Sequence, residues 1–147
     1  MLKVVVDANV LISALLSPKG PIADVLFEAR GRIQLLSPVL LKEELILHAD
    51  RLALEAGVEK ELFRQAIDRA MAGVRIVPDE RIHLRAKEQA DVLALHIDPK
   101  DVAYVALSIS QQAPLWTVDK KLIRGLVRQG VRIAIDIHTM RHLIEQV

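Results

Sequence analysis

The sequence predicts an α/β fold: a three-layer α/β/α sandwich with a central, mostly parallel five-stranded sheet. Three observations carry this expectation. Short β-branched runs alternate with helix-length segments along the whole chain, the pattern of repeated strand–helix–strand units. Runs such as Val4-Val5-Val6 are apolar at consecutive positions, as in strands covered on both faces. There is no repeat, low-complexity segment or linker, so residues 1–147 read as one domain of ordinary size.

The first strand is Lys3 to Val6, followed by a helix from about Asn9 to Leu16. Ser17-Pro18-Lys19-Gly20-Pro21 is a turn, and Pro21 opens a helix that ends at Gly31. Arg32 to Leu36 is the second strand. Ser37 is then expected to cap a helix with Pro38 at its first position. Helices over 38–56 and 59–72 are separated near Gly57, and Val74 to Val77 is the third strand. A helix over Ile82 to Leu95 follows. Asp98-Pro99 starts the next, with Asp98 as its cap and an end near Gln112. Leu115 to Val118 is the fourth strand, 120–129 a short helix, Val131 to Ile135 the fifth strand, and 138–146 the closing helix.

Composition removes several function classes. Lys+Arg number 20 and Asp+Glu 19, a net charge of +1, which argues against a strongly cationic arm holding nucleic acid by charge alone. There is no cysteine, so thiol catalysis, disulfide scaffolds and cysteine-bound zinc are excluded. Aromatic residues make up 3%, too few for a surface that stacks several bases. The richest apolar stretch, Leu2 to Leu16, is broken by Lys3, Asp7 and Asn9. It falls short of the roughly 18–20 apolar residues of a membrane span, so no membrane association and a cytoplasmic location are expected.

In an open parallel sheet, ligands bind beyond the carboxyl ends of the strands, near the switch in strand order. Asp7 follows the first strand and Asp119 the fourth. With strand order 3-2-1-4-5 these strands are neighbours, and two such carboxylates repel unless a cation lies between them. A hard divalent cation with oxygen ligands, Mg²⁺ or Mn²⁺, resolves this. Glu44, in the helix after strand two, and Asp101, in the first turn after Asp98-Pro99, start from the same end of the sheet. A four-carboxylate pocket is therefore geometrically reasonable.

Val4 to Leu11 with Asp7 and Asn9, Ser37-Pro38 through Glu43-Glu44-Leu45, Asp98-Pro99-Lys100-Asp101 through Leu107, and Leu115 to Leu122 with Asp119 together resemble the PIN-domain ribonucleases. The resemblance covers almost the full length. It looks closest to small prokaryotic PIN proteins, including the VapC-type toxins of toxin–antitoxin pairs. It implies a metal-dependent endoribonuclease in which Asp7, Glu44, Asp101 and Asp119 hold Mg²⁺ or Mn²⁺. It also implies an RNA substrate, an antitoxin partner and a homodimer. Asn9 and Thr117 match polar positions beside the family's acids, where they would orient a carboxylate or water; Asp98 joins them in that surrounding set. Val118, before Asp119, departs from the pattern, since many relatives have a small residue there. Valine at this point is expected to narrow access or tilt Asp119.

Other residues read as structural. His138 and His142 are spaced i, i+4 but lack the glutamate of the zinc-protease pattern. His48 and His96 are expected at the core edge, and Trp116 and Tyr104 in the core. Lys120, Lys121 and Arg124 follow Asp119 directly. They suit phosphate contacts or a solvated helix face equally. Three alternatives stand beside the toxin. One is a housekeeping RNA-processing nuclease on the same fold, and another is a non-catalytic RNA- or protein-binding module. The third, a phosphatase of the haloacid dehalogenase type, expects aspartate where this chain has Asn9. A dinucleotide-binding dehydrogenase is disfavoured because no Gly-x-Gly-x-x-Gly follows strand one.

Overall fold

Val4, Val5 and Val6 are fully buried, as a strand covered on both faces requires. They belong to β1 (Lys3–Val6), the central strand of the sheet in this computed structural model of residues 1–147. β2 (Gln34–Pro38) lies on one side of β1 and β4 (Leu115–Trp116) on the other. β3 (Arg75–Val77) and β5 (Ala134–Ile135) form the edges. All four pairings are parallel, and the order is β3-β2-β1-β4-β5, as expected. The order reverses between β1 and β4, so the switch point falls where Asp7 and Asp119 emerge.

Helices cover both faces. α1 (Ala8–Leu16), α2 (Pro21–Ala29), α3 (Leu40–Ala56), α4 (Lys60–Ala72) and α8 (Ile137–Glu145) pack together on one. α5 (Leu84–Ala94), α6 (Asp101–Gln111) and α7 (Lys120–Arg128) form the other layer, with α6 lying on β1, β2 and β4. A cluster of 37 buried residues joins sheet and helices, and Trp116, Tyr104 and Phe63 are its largest side chains. Burying each such side chain contributes about 1.5–3 kcal/mol or more. Gly57 ends α3 in the left-handed region, φ 67°, where its N–H bonds back to Ala53 and Leu54. No single helix is long and apolar enough to cross a membrane.

The structure corrects several local expectations. Ser37 does not cap a helix: it lies inside β2, which runs through Pro38, and its hydroxyl donates to the Val6 carbonyl at 3.0 Å. That buried bond ties β2 to β1 one residue before Asp7, and the helix starts later, at Leu40. Pro38 loses no essential donor, because it sits at the last paired position of its strand. Asp98 does not immediately precede its helix; α6 begins at Asp101, with Lys100 at the capping position. Asp98 instead accepts from the Lys100 N–H at 3.0 Å, closing the turn that leads into α6. Residues 79–81 form a 3₁₀ turn, and α5 starts at Leu84 rather than Ile82. β4 and β5 are two residues each, shorter than the expected Leu115–Val118 and Val131–Ile135.

Candidate active site

Asp7 directly follows β1 and is 3% exposed, so its carboxyl is removed from water at the switch point. It stands at the N-cap position of α1 without a well-aligned side-chain cap bond. Its Oδ2 instead accepts from Thr117 Oγ1 at 2.7 Å across the β1–β4 boundary. The same Thr117 oxygen accepts from the Asp119 N–H at 3.1 Å, so one buried hydroxyl joins the two strand-end aspartates. Burial raises the Asp7 pKa above the ordinary 3.8. Thr117 and the amides of Asn9 and Ala8 oppose that rise, and the Asp119 charge adds to it.

Asp119 caps α7: its Oδ1 accepts from the N–H groups of Lys121 at 3.0 Å and Leu122 at 3.3 Å. The cap engages one carboxyl oxygen. Val118 is partly buried and packs against the core.

Asp101 is the first residue of α6 and is 5% exposed. Its Oδ2 is buried and has no hydrogen-bond partner. An unpartnered buried carboxylate oxygen is costly. Burial, then the charges of Asp7, Asp119, Asp98 and Glu44, lift its pKa to about 7. Five acids therefore share one electrostatic neighbourhood.

Glu44 is half-buried in the second turn of α3, whereas the adjacent Glu43 is exposed. Glu44 Oε1 accepts from the Tyr104 hydroxyl at 3.1 Å. Burial raises the Glu44 pKa; Tyr104 and Lys100 pull it down, while Asp7 and Asp98 push it up. Tyr104 is buried as expected, yet packing is only part of its role. Its phenol has a raised pKa, from burial and the Glu44 charge, so it stays a proton donor to that carboxylate. Sequence reasoning missed this contact. The available signal was spacing: Asp101 and Tyr104 are i, i+3 on one helix and share a face.

The remaining candidates lie around this set. Asn9 is exposed at the rim and its side chain bonds no protein group; only its backbone amide reaches Asp7. Lys120, Lys121 and Arg124 are exposed on α7, opposite the buried Leu122 and Leu126. His96 is exposed, not at the core edge. His138 and His142 are also exposed, and His142 meets Gln146.

No three carboxyls are drawn close enough to form a finished metal cage in the protein alone. The donor set nevertheless suits a hard divalent cation. It is all oxygen, it is mutually repulsive, and it includes a buried oxygen that nothing in the protein satisfies.

Comparison with known proteins agrees with the fold. Residues 5–142 match the family described as PIN domain. The chain belongs to the PIN-domain family. No curated protein matches it. Among solved structures it is similar to PAE2754 from Pyrobaculum aerophilum at 16% identity and TM-score 0.68, covering 99% of this chain and 91% of that one. It is similar to VapBC-1 from nontypeable Haemophilus influenzae at 20% identity and TM-score 0.65, covering 93% and 99%. VapBC2 from Rickettsia felis, bound to a DNA fragment from their promoter, aligns at 13% identity and TM-score 0.67, covering 92% and 98%. At these identities the likeness is one of fold.

Proposed function

We propose that this chain is a metal-dependent endoribonuclease and the toxin of a toxin–antitoxin pair. The observation that carries the reading is Asp101 Oδ2, buried and unpartnered among four other acids at the switch point of a PIN-domain sheet. Asp7, Glu44, Asp101 and Asp119 would hold Mg²⁺ or Mn²⁺. When bound, such a cation supplies an acidified water and charge stabilisation at a scissile phosphodiester.

The chain's own residues do the positioning. Thr117 fixes Asp7 and the Asp119 backbone, and the α7 cap fixes the Asp119 carboxyl. Tyr104 turns one Glu44 oxygen inward and leaves the other available. Asp98 holds the turn that presents Asp101. Lys120, Lys121 and Arg124, exposed beside Asp119, are suited to RNA phosphates. Asn9 stands at the rim, where it would orient a water or substrate group.

The solved relatives named VapBC support an antitoxin partner. Exposed Ile46, Leu47 and Leu54 on α3 favour a homodimer, and an RNA substrate places the work in the cytoplasm. The deciding experiment is cleavage of RNA with Mg²⁺ or Mn²⁺ by the wild type and Asp7→Asn. Loss of cleavage in the variant supports the nuclease. Equal behaviour of the two proteins rejects it and favours a binding module. A neighbouring gene for a small DNA-binding protein separates a toxin from a housekeeping nuclease.

A further inference from the structure

A second feature lies at the opposite end of α6 from Asp101. There the side chains of Lys3, Gln34, Arg75, Arg81 and Gln111 line a hollow of about 260 Å³. The strand register explains how they meet. Lys3 pairs with Gln34, and Leu36 pairs with Arg75. Side chains two apart on a strand share a face, so Lys3, Gln34 and Arg75 project from the same side of the sheet. Gln111, the last residue of α6, covers that side and accepts from Lys3 Nζ at 3.4 Å. Arg81 reaches in from the 3₁₀ turn after β3, behind Pro78.

Three cations and two amides thus line the hollow, and no carboxylate does. None of the three cations is in an ion pair; the acids that pair elsewhere are Asp50, Glu55 and Asp79, with other partners. Like charges gathered without a counter-charge repel one another and attract an anion. Two of the lining residues are arginines, whose guanidinium groups carry paired N–H donors at the spacing that phosphate oxygens accept. The volume lies below the range of about 300–1,000 Å³ typical for larger organic ligands and suits a phosphate group with attendant water.

We propose that Lys3, Arg75 and Arg81, with the amides of Gln34 and Gln111, form a phosphate-binding site separate from the acidic centre. Its ligand is a phosphate group, carried either by a small phosphate compound or by the backbone of an RNA strand. α6 separates it from Asp101 by roughly 15 Å, from eleven residues at the helical rise. An RNA strand several nucleotides long spans that distance, so the site would anchor RNA away from the scissile bond.

The test uses the full chain with a metal chelator present, so it does not depend on cleavage. Pyrophosphate and a short labelled single-stranded RNA are titrated into the wild type and into Arg75→Gln/Arg81→Gln. Both replaced side chains are exposed, and thermal melting checks the fold. Binding is followed by amide chemical shifts and by anisotropy at several salt concentrations. Shifts centred on Gln34, Arg75 and Gln111 with pyrophosphate, absent in the variant, assign the site to a small phosphate compound. RNA affinity that falls about tenfold in the variant, with a shallower salt slope, and no pyrophosphate response assign it to the RNA backbone. Unchanged RNA affinity in the variant, together with no pyrophosphate shifts at those residues, overturns the proposal. Failure of the nuclease reading would leave either positive result standing.

Discussion

Thr117 Oγ1 donates to Asp7 Oδ2 at 2.7 Å and accepts from the Asp119 N–H at 3.1 Å. One fully buried hydroxyl therefore sets the relation between Asp7 and Asp119, 112 positions apart in the chain. Replacing Thr117 by valine keeps shape and removes both bonds. We expect a loss of about 1–3 kcal/mol of stability and about tenfold or more in Mn²⁺ affinity. Thr117→Ser should retain most of both. Urea denaturation and calorimetric Mn²⁺ titration check this. A valine variant that binds Mn²⁺ like the wild type would contradict it.

Asp101 gives a pH dependence whose sign is fixed. Its pKa rises from an ordinary 3.8 to about 7 in the folded chain. Between those values the folded protein holds a proton that the unfolded chain has released, so stability falls as pH rises. The raised pKa values of Asp7 and Glu44 act in the same direction. In chelator, we expect the protein to be more stable near pH 5 than near pH 8, by on the order of 1–3 kcal/mol. Mn²⁺ should reverse the difference, and Asp101→Asn should remove much of it. Equal stability at both pH values in chelator would exclude this account.

Tyr104→Phe deletes the donor to Glu44 and nothing else from the core. Glu44 is only half-buried, so water can replace the lost bond. Stability should change by about 1 kcal/mol or less, while Mn²⁺ affinity falls several-fold through loss of Glu44 orientation. Mn²⁺ binding unchanged in the variant would show that the Tyr104 hydroxyl does not orient Glu44 for a metal.

Gly125 is the point where α7 meets Ile97, and a Cβ there would collide with the Ile97 side chain. α7 carries Asp119 at its start, and Ile97 is one residue before Asp98. Gln129 reinforces the contact by donating to the Leu93 carbonyl at 2.8 Å. Gly125→Ala should cost about 1–3 kcal/mol and weaken Mn²⁺ binding by shifting Asp119 relative to Asp101. Adding Ile97→Ala should restore binding, and a double-mutant cycle measures the coupling. Additive effects would show that the close approach does not position the acids.

Part of the candidate site was legible because two of its acids, Asp7 and Asp119, lie just past strand ends. Consecutive β-branched residues marked β1, and Asp7 and Asp119 could be placed at the switch point from topology alone. The boundaries near Ser37 and Asp98 were less legible. Ser-Pro and Asp-Pro fit a helix cap by local preference, but Ser37 found a buried carbonyl on β1 and Asp98 a turn amide. Both choices depend on partners distant in sequence or on exact turn geometry. Tyr104 was read by its bulk, since a phenol in an apolar helix gives no sign of which polar atom its hydroxyl will meet. The cationic hollow was invisible in the sequence, because Lys3, Arg75 and Arg81 are brought together only by strand register.

The most direct test of the central claim is the anomalous scattering of crystals soaked in Mn²⁺. The account predicts a Mn²⁺ peak at the carboxylates of Asp7, Glu44, Asp101 and Asp119, which would hold the ion. No peak at these carboxylates, or one only elsewhere on the surface, would contradict a metal centre at the switch point and the nuclease built on it.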